Sequence, residues 1–158
     1  MIFSSAAEYA IRGLSELALR TPGGAAGERP VLLDDLVAGT SLPRDFLAKL
    51  FQKLVKAGIL RSARGRGGGF ALARAPHEIT LMQICDAVDE ERRQSLDRCV
   101  VGLAACNDAM ACPQHDLYKP IRQRLRDYLN TTTLADLAAS LKAKLAQQGE
   151  KRKEKGPA

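Results

Sequence analysis

Residues 32–72 restrict the fold more than any other stretch, because four local signals follow one another without a gap. Leu32-Leu33-Asp34-Asp35-Leu36-Val37-Ala38 reads as a short helix closed by Gly39. Thr40-Ser41-Leu42-Pro43 is a turn, with Ser41 where an N-cap belongs and Pro43 tolerable in a first helical turn. From about Pro43 to Ala57, Phe46, Leu47, Leu50, Phe51 and Leu54 form an apolar stripe at helical spacing. Arg44, Asp45, Lys49, Gln52, Lys53 and Lys56 occupy the other faces, and Gly58 stands where a helix commonly ends. Two short strand-like runs, Ile59–Ser62 and Phe70–Ala73, then flank Ala63-Arg64-Gly65-Arg66-Gly67-Gly68-Gly69, which predicts a β-hairpin. A helix-turn-helix followed by a hairpin is a winged helix. The expected fold class is therefore mainly α with a small β-hairpin wing.

Charge gives this unit a direction. Between Phe46 and His77 there are seven basic residues (Lys49, Lys53, Lys56, Arg61, Arg64, Arg66, Arg74) and no acid. The chain holds 24 Lys/Arg and 18 Asp/Glu, so removing these seven leaves 17 against 18. The positive field belongs to one local element, as in a polyanion-binding surface; the bland alternative is a solvated basic face. Residues at the start of the second helix (Ser41, Arg44, Asp45, Lys49) are candidate base readers. Lys53 and Arg61 extend the candidate DNA-binding set, and Arg64 and Arg66 in the wing are placed to grip phosphates or enter a minor groove. Arg44 has the donor fork that guanine accepts bidentately. The glycines also invite comparison with a nucleotide-phosphate loop. The Gly-Lys-Ser/Thr ending is missing, however, and the run lies inside a hairpin rather than between a strand and a helix.

The flanking segments read as helices. Ala7, Ala10, Ile11, Leu14, Leu17 and Ala18 mark one over 4–20, capped by Ser4 or Ser5, with Glu8 placed for a capping box with Ser5. Residues 80–88 predict another, capped by Thr80, with Leu81, Ile84, Cys85 and Val88 on one face. Cys85 thus reads as a small core residue rather than a ligand. Ile121, Leu125, Tyr128 and Leu129 mark a helix over about 117–130 with Pro120 in its first turn, and Leu134, Leu137, Ala138, Leu141 and Leu145 mark one more. These stripes exceed what a small winged helix needs, so part of them is expected to pair two chains. The expected division is 1–88 for DNA binding, 89–116 for a cysteine-bearing loop, 117–147 for dimerisation helices and 148–158 for a disordered tail.

Cys99, Cys106, Cys112 and His115 supply the chemistry, as Cys-x6-Cys-x5-Cys-Pro-x-His. Three thiols and an imidazole in a stretch of little periodicity can gather round a metal, and soft sulfur favours zinc, copper(I) or an iron–sulfur cluster. From the ligands alone, a structural zinc site and a metal-free thiol sensor stay open as alternatives. No apolar run approaches the length of a membrane span and no secretory signal is visible, so a cytoplasmic chain is expected, where disulfides are rare. Catalysis finds little support: there is no Cys-x-x-Cys motif, and the histidines are His77 and His115 alone.

These residues resemble the IscR/NsrR/RirA group of bacterial winged-helix transcription regulators. The resemblance rests on Glu8-Tyr9-Ala10-Ile11-Arg12, on residues 58–72 (Gly-Ile-Leu-Arg-Ser-Ala-Arg-Gly-Arg-Gly-Gly-Gly-Phe-Ala-Leu) and on Ile79-Thr80-Leu81. It continues through the three cysteines and Thr132-Thr133-Leu134-Ala135-Asp136-Leu137, covering almost the whole chain. It implies a homodimer bound to operator DNA and an iron–sulfur cluster on Cys99, Cys106 and Cys112, with 2Fe–2S favoured over 4Fe–4S. Redox state, nitric oxide or iron supply would be the signal. His115 matches the fourth ligand of some members, and Glu8 matches an acidic ligand that others take from the partner subunit. The spacing between Cys99 and Cys106 is one residue longer than in members with the His ligand. Ala48 is apolar where some relatives place a polar base reader.

Overall fold

The computed structural model describes residues 3–21, 29–38, 40–89, 98–104, 106–109 and 112–154, with side chains as far as Glu150. In chain order come α1 (Ser5–Arg20), α2 (Leu33–Val37), α3 (Arg44–Lys56), β1 (Leu60–Ala63) and β2 (Gly69–Leu72). A single 3-10 turn (Pro76–Glu78), α4 (Leu81–Val88), α5 (His115–Thr131) and α6 (Leu134–Glu154) follow. The two strands form an antiparallel hairpin with Leu60 opposite Leu72 and Ala63 opposite Gly69. This is the expected mainly helical fold with a hairpin wing.

The start of α1 uses one of the two expected caps and lacks the expected capping box. Ser4, not Ser5, is the cap, and its Oγ accepts the Ala7 N–H at 3.2 Å. Ser5 is already helical, so the box with Glu8 does not form, and Glu8 points to solvent. The turn before α3 also has another organiser. Thr40 Oγ1 donates to the Val37 carbonyl (2.9 Å) and accepts the Leu42 N–H (3.2 Å). Pro43 is the N-cap, and its carbonyl accepts the Leu47 N–H at 2.9 Å. Ser41, expected as the cap, instead accepts a hydrogen bond from the Arg12 guanidinium at 2.9 Å. Thr80, by contrast, caps α4 as the sequence predicts, and Gln83 completes a capping box beyond that expectation.

Leu47, Leu50, Phe51 and Leu54 of α3 are buried against α1, whose Ala10, Leu14 and Leu17 are also buried. Gly13 permits this approach: a Cβ there would stand 2.7 Å from a Leu47 methyl and 3.1 Å from the Phe51 ring. Phe46 leaves the expected stripe. It precedes the buried face by one position, stays 38 % exposed, and packs edge-on against Tyr9 at 5.6 Å. Phe51 meets Phe70 edge-on at 5.1 Å, which anchors the hairpin to α3. Val31 exchanges two backbone hydrogen bonds with Phe70, at 2.8 and 2.9 Å. Gly69 makes room for that contact at φ +129, where a Cβ would meet the Val31 oxygen at 2.2 Å.

The C-terminal helices differ in what they bury. Leu134, fully buried, opens α6 inside the core of the N-terminal unit. Its N–H donates to Ile79 (2.8 Å), and the Leu81 N–H donates to Thr132 (2.9 Å). Thr133 and Asp136 form a reciprocal cap at the α6 start. Leu137 and Ala138 then pack along the same core. On α5 only Leu129 is buried, while Leu117, Ile121 and Tyr128 are 69 %, 57 % and 45 % exposed. Pro120 falls in the second turn of α5, not the first, because the helix begins at His115. The tail expected to be disordered from 148 is helical as far as Glu154, a run rich in the helix formers Gln, Glu, Lys and Arg. Residues 155–158 lie outside the described residues.

Candidate metal centre and nucleic-acid interface

The structure arranges the metal candidates as two pairs. Cys99 Sγ and Cys112 Sγ stand 3.6 Å apart, and Cys106 Sγ stands 3.5 Å from His115 Nδ1. Local chain geometry produces this. His115 is the first residue of α5, and its N–H donates to the Cys112 carbonyl at 3.2 Å, so the last cysteine and the histidine are held together at one helix start. A turn closed by Gly102 N–H to the Cys99 carbonyl (3.0 Å) shapes the chain after Cys99, with Gly102 at φ +80.

The residues around the pairs are polar and mostly cationic. His115 Nε2 lies 2.8 Å from Asp108, whose carboxylate also accepts Lys119 Nζ at 2.7 Å. Lys119 and then His115 hold the Asp108 carboxyl below its ordinary value, and Lys119 is raised in return. Arg122, on α5, donates to Cys106 Sγ at 2.8 Å and to the Arg98 carbonyl at 2.9 Å. Cys99 is pulled below the usual thiol range, first by the Val101 backbone, then by Leu103 and Cys112, with Arg122 contributing by charge. Sequence reasoning missed Asp108, Lys119 and Arg122. The only signal was that Lys119 and Arg122 lie one and two helical turns beyond His115.

This donor set fits a thiophilic metal. Two sulfurs bound at about 2.3 Å to one tetrahedral ion lie about 3.8 Å apart, and a sulfur and an imidazole nitrogen about 3.6 Å. Both observed pairs are close to those edges. An imidazole whose far nitrogen meets a carboxylate is the usual outer-shell arrangement of a metal-binding histidine. Among the described residues, no three His, Cys, Asp or Glu side chains converge on a point that could hold one ion. Glu8 is exposed in the first turn of α1, outside both pairs. Cys85 is buried in the core, as expected.

The DNA-facing candidates lie on α3 and the wing. Arg44 is the first residue of α3, exposed, and paired with Asp34 of α2 and with Asp45 at 3.2 Å. The Arg44 hydrogen bond holds Asp34 below its ordinary carboxylate value. Lys49 is exposed on α3, and Arg64 and Arg66 are exposed in the wing turn, where Gly65 and Gly67 take φ +87 and +77. Arg61 is half-buried on β1. Lys53 is engaged within the fold, where its Nζ donates to the Val88 carbonyl at 3.0 Å and so caps α4.

Comparison with known proteins gives this geometry a context. Residues 3–140 match the family model described as Rrf2, iron-dependent transcriptional regulator. The HTH-type transcriptional regulator IscR of Vibrio campbellii is 33 % identical over 87 % of this chain and 77 % of its own. The structure of CymR, the global cysteine regulator of B. subtilis, superposes with a TM-score of 0.68 at 26 % identity, covering 87 % of this chain and 96 % of that one. The T. potens IscR structure shares the fold with a TM-score of 0.63 at 23 % identity over 87 % of this chain and 86 % of its own. These relatives are named as regulators, not enzymes. Among the described residues, no helix is long and apolar enough to cross a membrane. A helix-turn-helix with a basic wing, and a family match spanning nearly all of the chain, lead to one conclusion: it belongs to the Rrf2 family and is a DNA-binding transcriptional regulator.

Proposed function

We propose that this chain acts as a homodimer whose operator affinity is set by an iron–sulfur cluster held by Cys99, Cys106, Cys112 and His115. The observation that carries the reading is the division of these four side chains into a thiol–thiol pair and a thiol–imidazole pair. Each pair suits one iron of a two-iron cluster, in which histidine can replace cysteine on one iron. A single zinc would instead draw all four ligands to one point. Both pairs lie beside Arg122, which touches Cys106 and lowers the Cys99 thiol by its charge. When bound, such a cluster supplies an iron centre open to oxidants, nitric oxide and iron loss.

The chain's own residues convert occupancy into a change of shape. The cysteine segment is tied to α5 through His115 and through Arg122, which grips the Arg98 carbonyl. The exposed apolar stripe of α5 (Leu117, Ile121, Tyr128) is the surface expected to meet a second copy. Ligands that close or release therefore act on the helix that spaces two recognition helices, which must fall about one DNA turn apart. His115 serves as the fourth ligand, because its outer nitrogen is already oriented by Asp108. Arg44, Asp45, Ser41 and Lys49 face base edges, and Arg64 and Arg66 face phosphates.

Anaerobic purification tests the reading. Brown protein with iron and inorganic sulfide in equal amount, and a two-iron Mössbauer signature, is the expected result. Cys106→Ala should lose the visible absorbance. A colourless protein carrying one zinc per chain would replace the cluster with a structural metal, and a metal-free protein losing thiols to mild peroxide would leave a thiol sensor.

A further inference from the structure

The geometry points to Asp34 as a specificity-determining residue: its carboxylate braces the Arg44 guanidinium so that one fork of donors is presented to a guanine. The inference rests on the DNA-reading role of α3 and adds a residue from α2 that makes no base contact itself.

A guanidinium has five N–H groups in a rigid plane. Asp34 Oδ1 accepts from Arg44 Nε, and Asp34 Oδ2 lies 3.5 Å from Nη2. Asp45 Oδ1 accepts from Nη1 at 3.2 Å. One N–H on each of Nη1 and Nη2 remains, and two parallel donors of that kind match guanine O6 and N7. Asp34 thus occupies the Nε side of the plane, and Asp45 takes one N–H of Nη1. Asp34 comes from the helix that precedes the turn and Asp45 from the first turn of α3, so the brace also reports the angle between α2 and α3. An unbraced arginine on a flexible stem would contact phosphates or other bases as readily, which adds affinity without discrimination. Two carboxylates next to a DNA backbone repel it unless Arg44 neutralises them, so their presence at this surface opposes nonspecific affinity and favours selectivity.

The test uses the full-length chain, cluster-loaded and cluster-free. Selection from random duplexes with the natural sequence defines the operator. Affinities are then measured at one salt concentration for the operator, for single replacements of each guanine, and for unrelated DNA. Asp34→Ala is expected to cut the preference for guanine at one position in each half-site by about tenfold, the scale of one bidentate base contact. Asp34→Asn, which keeps one acceptor oxygen, should fall between. Unrelated DNA should bind both variants no more weakly than the natural chain. In an Arg44→Ala background Asp34→Ala should leave the guanine preference unchanged, while relief of its unneutralised charge raises affinity for all duplexes alike. Melting temperatures report folding, and both side chains are exposed. Retained or sharpened guanine preference in Asp34→Ala overturns the brace and makes Asp34 a mere competitor of DNA for Arg44. Equal weakening on all duplexes makes it structural and overturns it as well. If the natural chain selects no sequence, the DNA-reading role itself fails and the brace falls with it.

Discussion

Gly69 shows how much a single side chain can decide. Its φ of +129 and the Val31 carbonyl, 2.2 Å from where a Cβ would stand, reserve the position for glycine. Gly69→Ala is expected to destabilise the domain by about 3 kcal/mol, through backbone strain plus a displaced edge, measurable as a lower urea midpoint. Leu134→Ala should cost about 2–5 kcal/mol, since the side chain is fully buried. At the wing, Arg64→Gln and Arg66→Gln are expected to weaken operator and unrelated DNA alike. Each should reduce the slope of log affinity against log salt by about one. Residue types were legible in the sequence where chemistry is carried by identity: the cysteines, His115 and the wing arginines. Partners were not. Nothing in the string says that Lys53 caps α4, that Asp34 holds Arg44, or that Arg122 reaches Cys106, because each contact joins residues at least ten positions apart.

At the scale of elements, the start of α6 is a small electrostatic device. The Thr133 N–H and hydroxyl both donate to Asp136, at 2.9 and 2.7 Å, and hold its carboxyl below its ordinary value. A carboxyl depressed in the folded state stabilises above its unfolded value, and that contribution fades as pH falls through the folded value. The melting temperature should therefore drop on acidification through the carboxylate range, and Asp136→Asn should flatten that part of the drop. Thr133→Ala removes the cap and should cost about 1 kcal/mol at neutral pH. Helix α5 makes a separate claim. If its exposed stripe pairs two chains, Ile121→Asp should convert a dimer to a monomer in sedimentation, with the isolated fold intact by circular dichroism. Periodicity revealed both C-terminal helices, because apolar spacing is a local property. It did not say which stripe the chain covers itself. Leu134 and Leu137 turn inward while Leu117 and Ile121 stay exposed, and that choice is made by tertiary packing.

For the molecule as a whole, two chemistries occupy one small frame. The hairpin and α3 gather positive charge, and the start of α5 gathers sulfur and imidazole. Packing links them: Phe51 ties α3 to the wing, Lys53 ties α3 to α4, and Leu134 ties α6 into the same core. If two copies pair along α5, as proposed, a change at the cysteine segment would reach α3 through α5 and the paired subunit rather than through the loop itself. Effector and DNA must then affect each other's binding equally. The decisive measurement is operator affinity of one protein preparation, held without air, before and after its cluster is removed, with Cys106→Ala as the permanently cluster-free reference. The expected result is a change of at least about fivefold between loaded and stripped protein, the lower scale of allosteric coupling, with the stripped protein matching the variant. Equal affinity in all three, with the loaded sample verified to hold iron and sulfide, would refute cluster control of DNA binding.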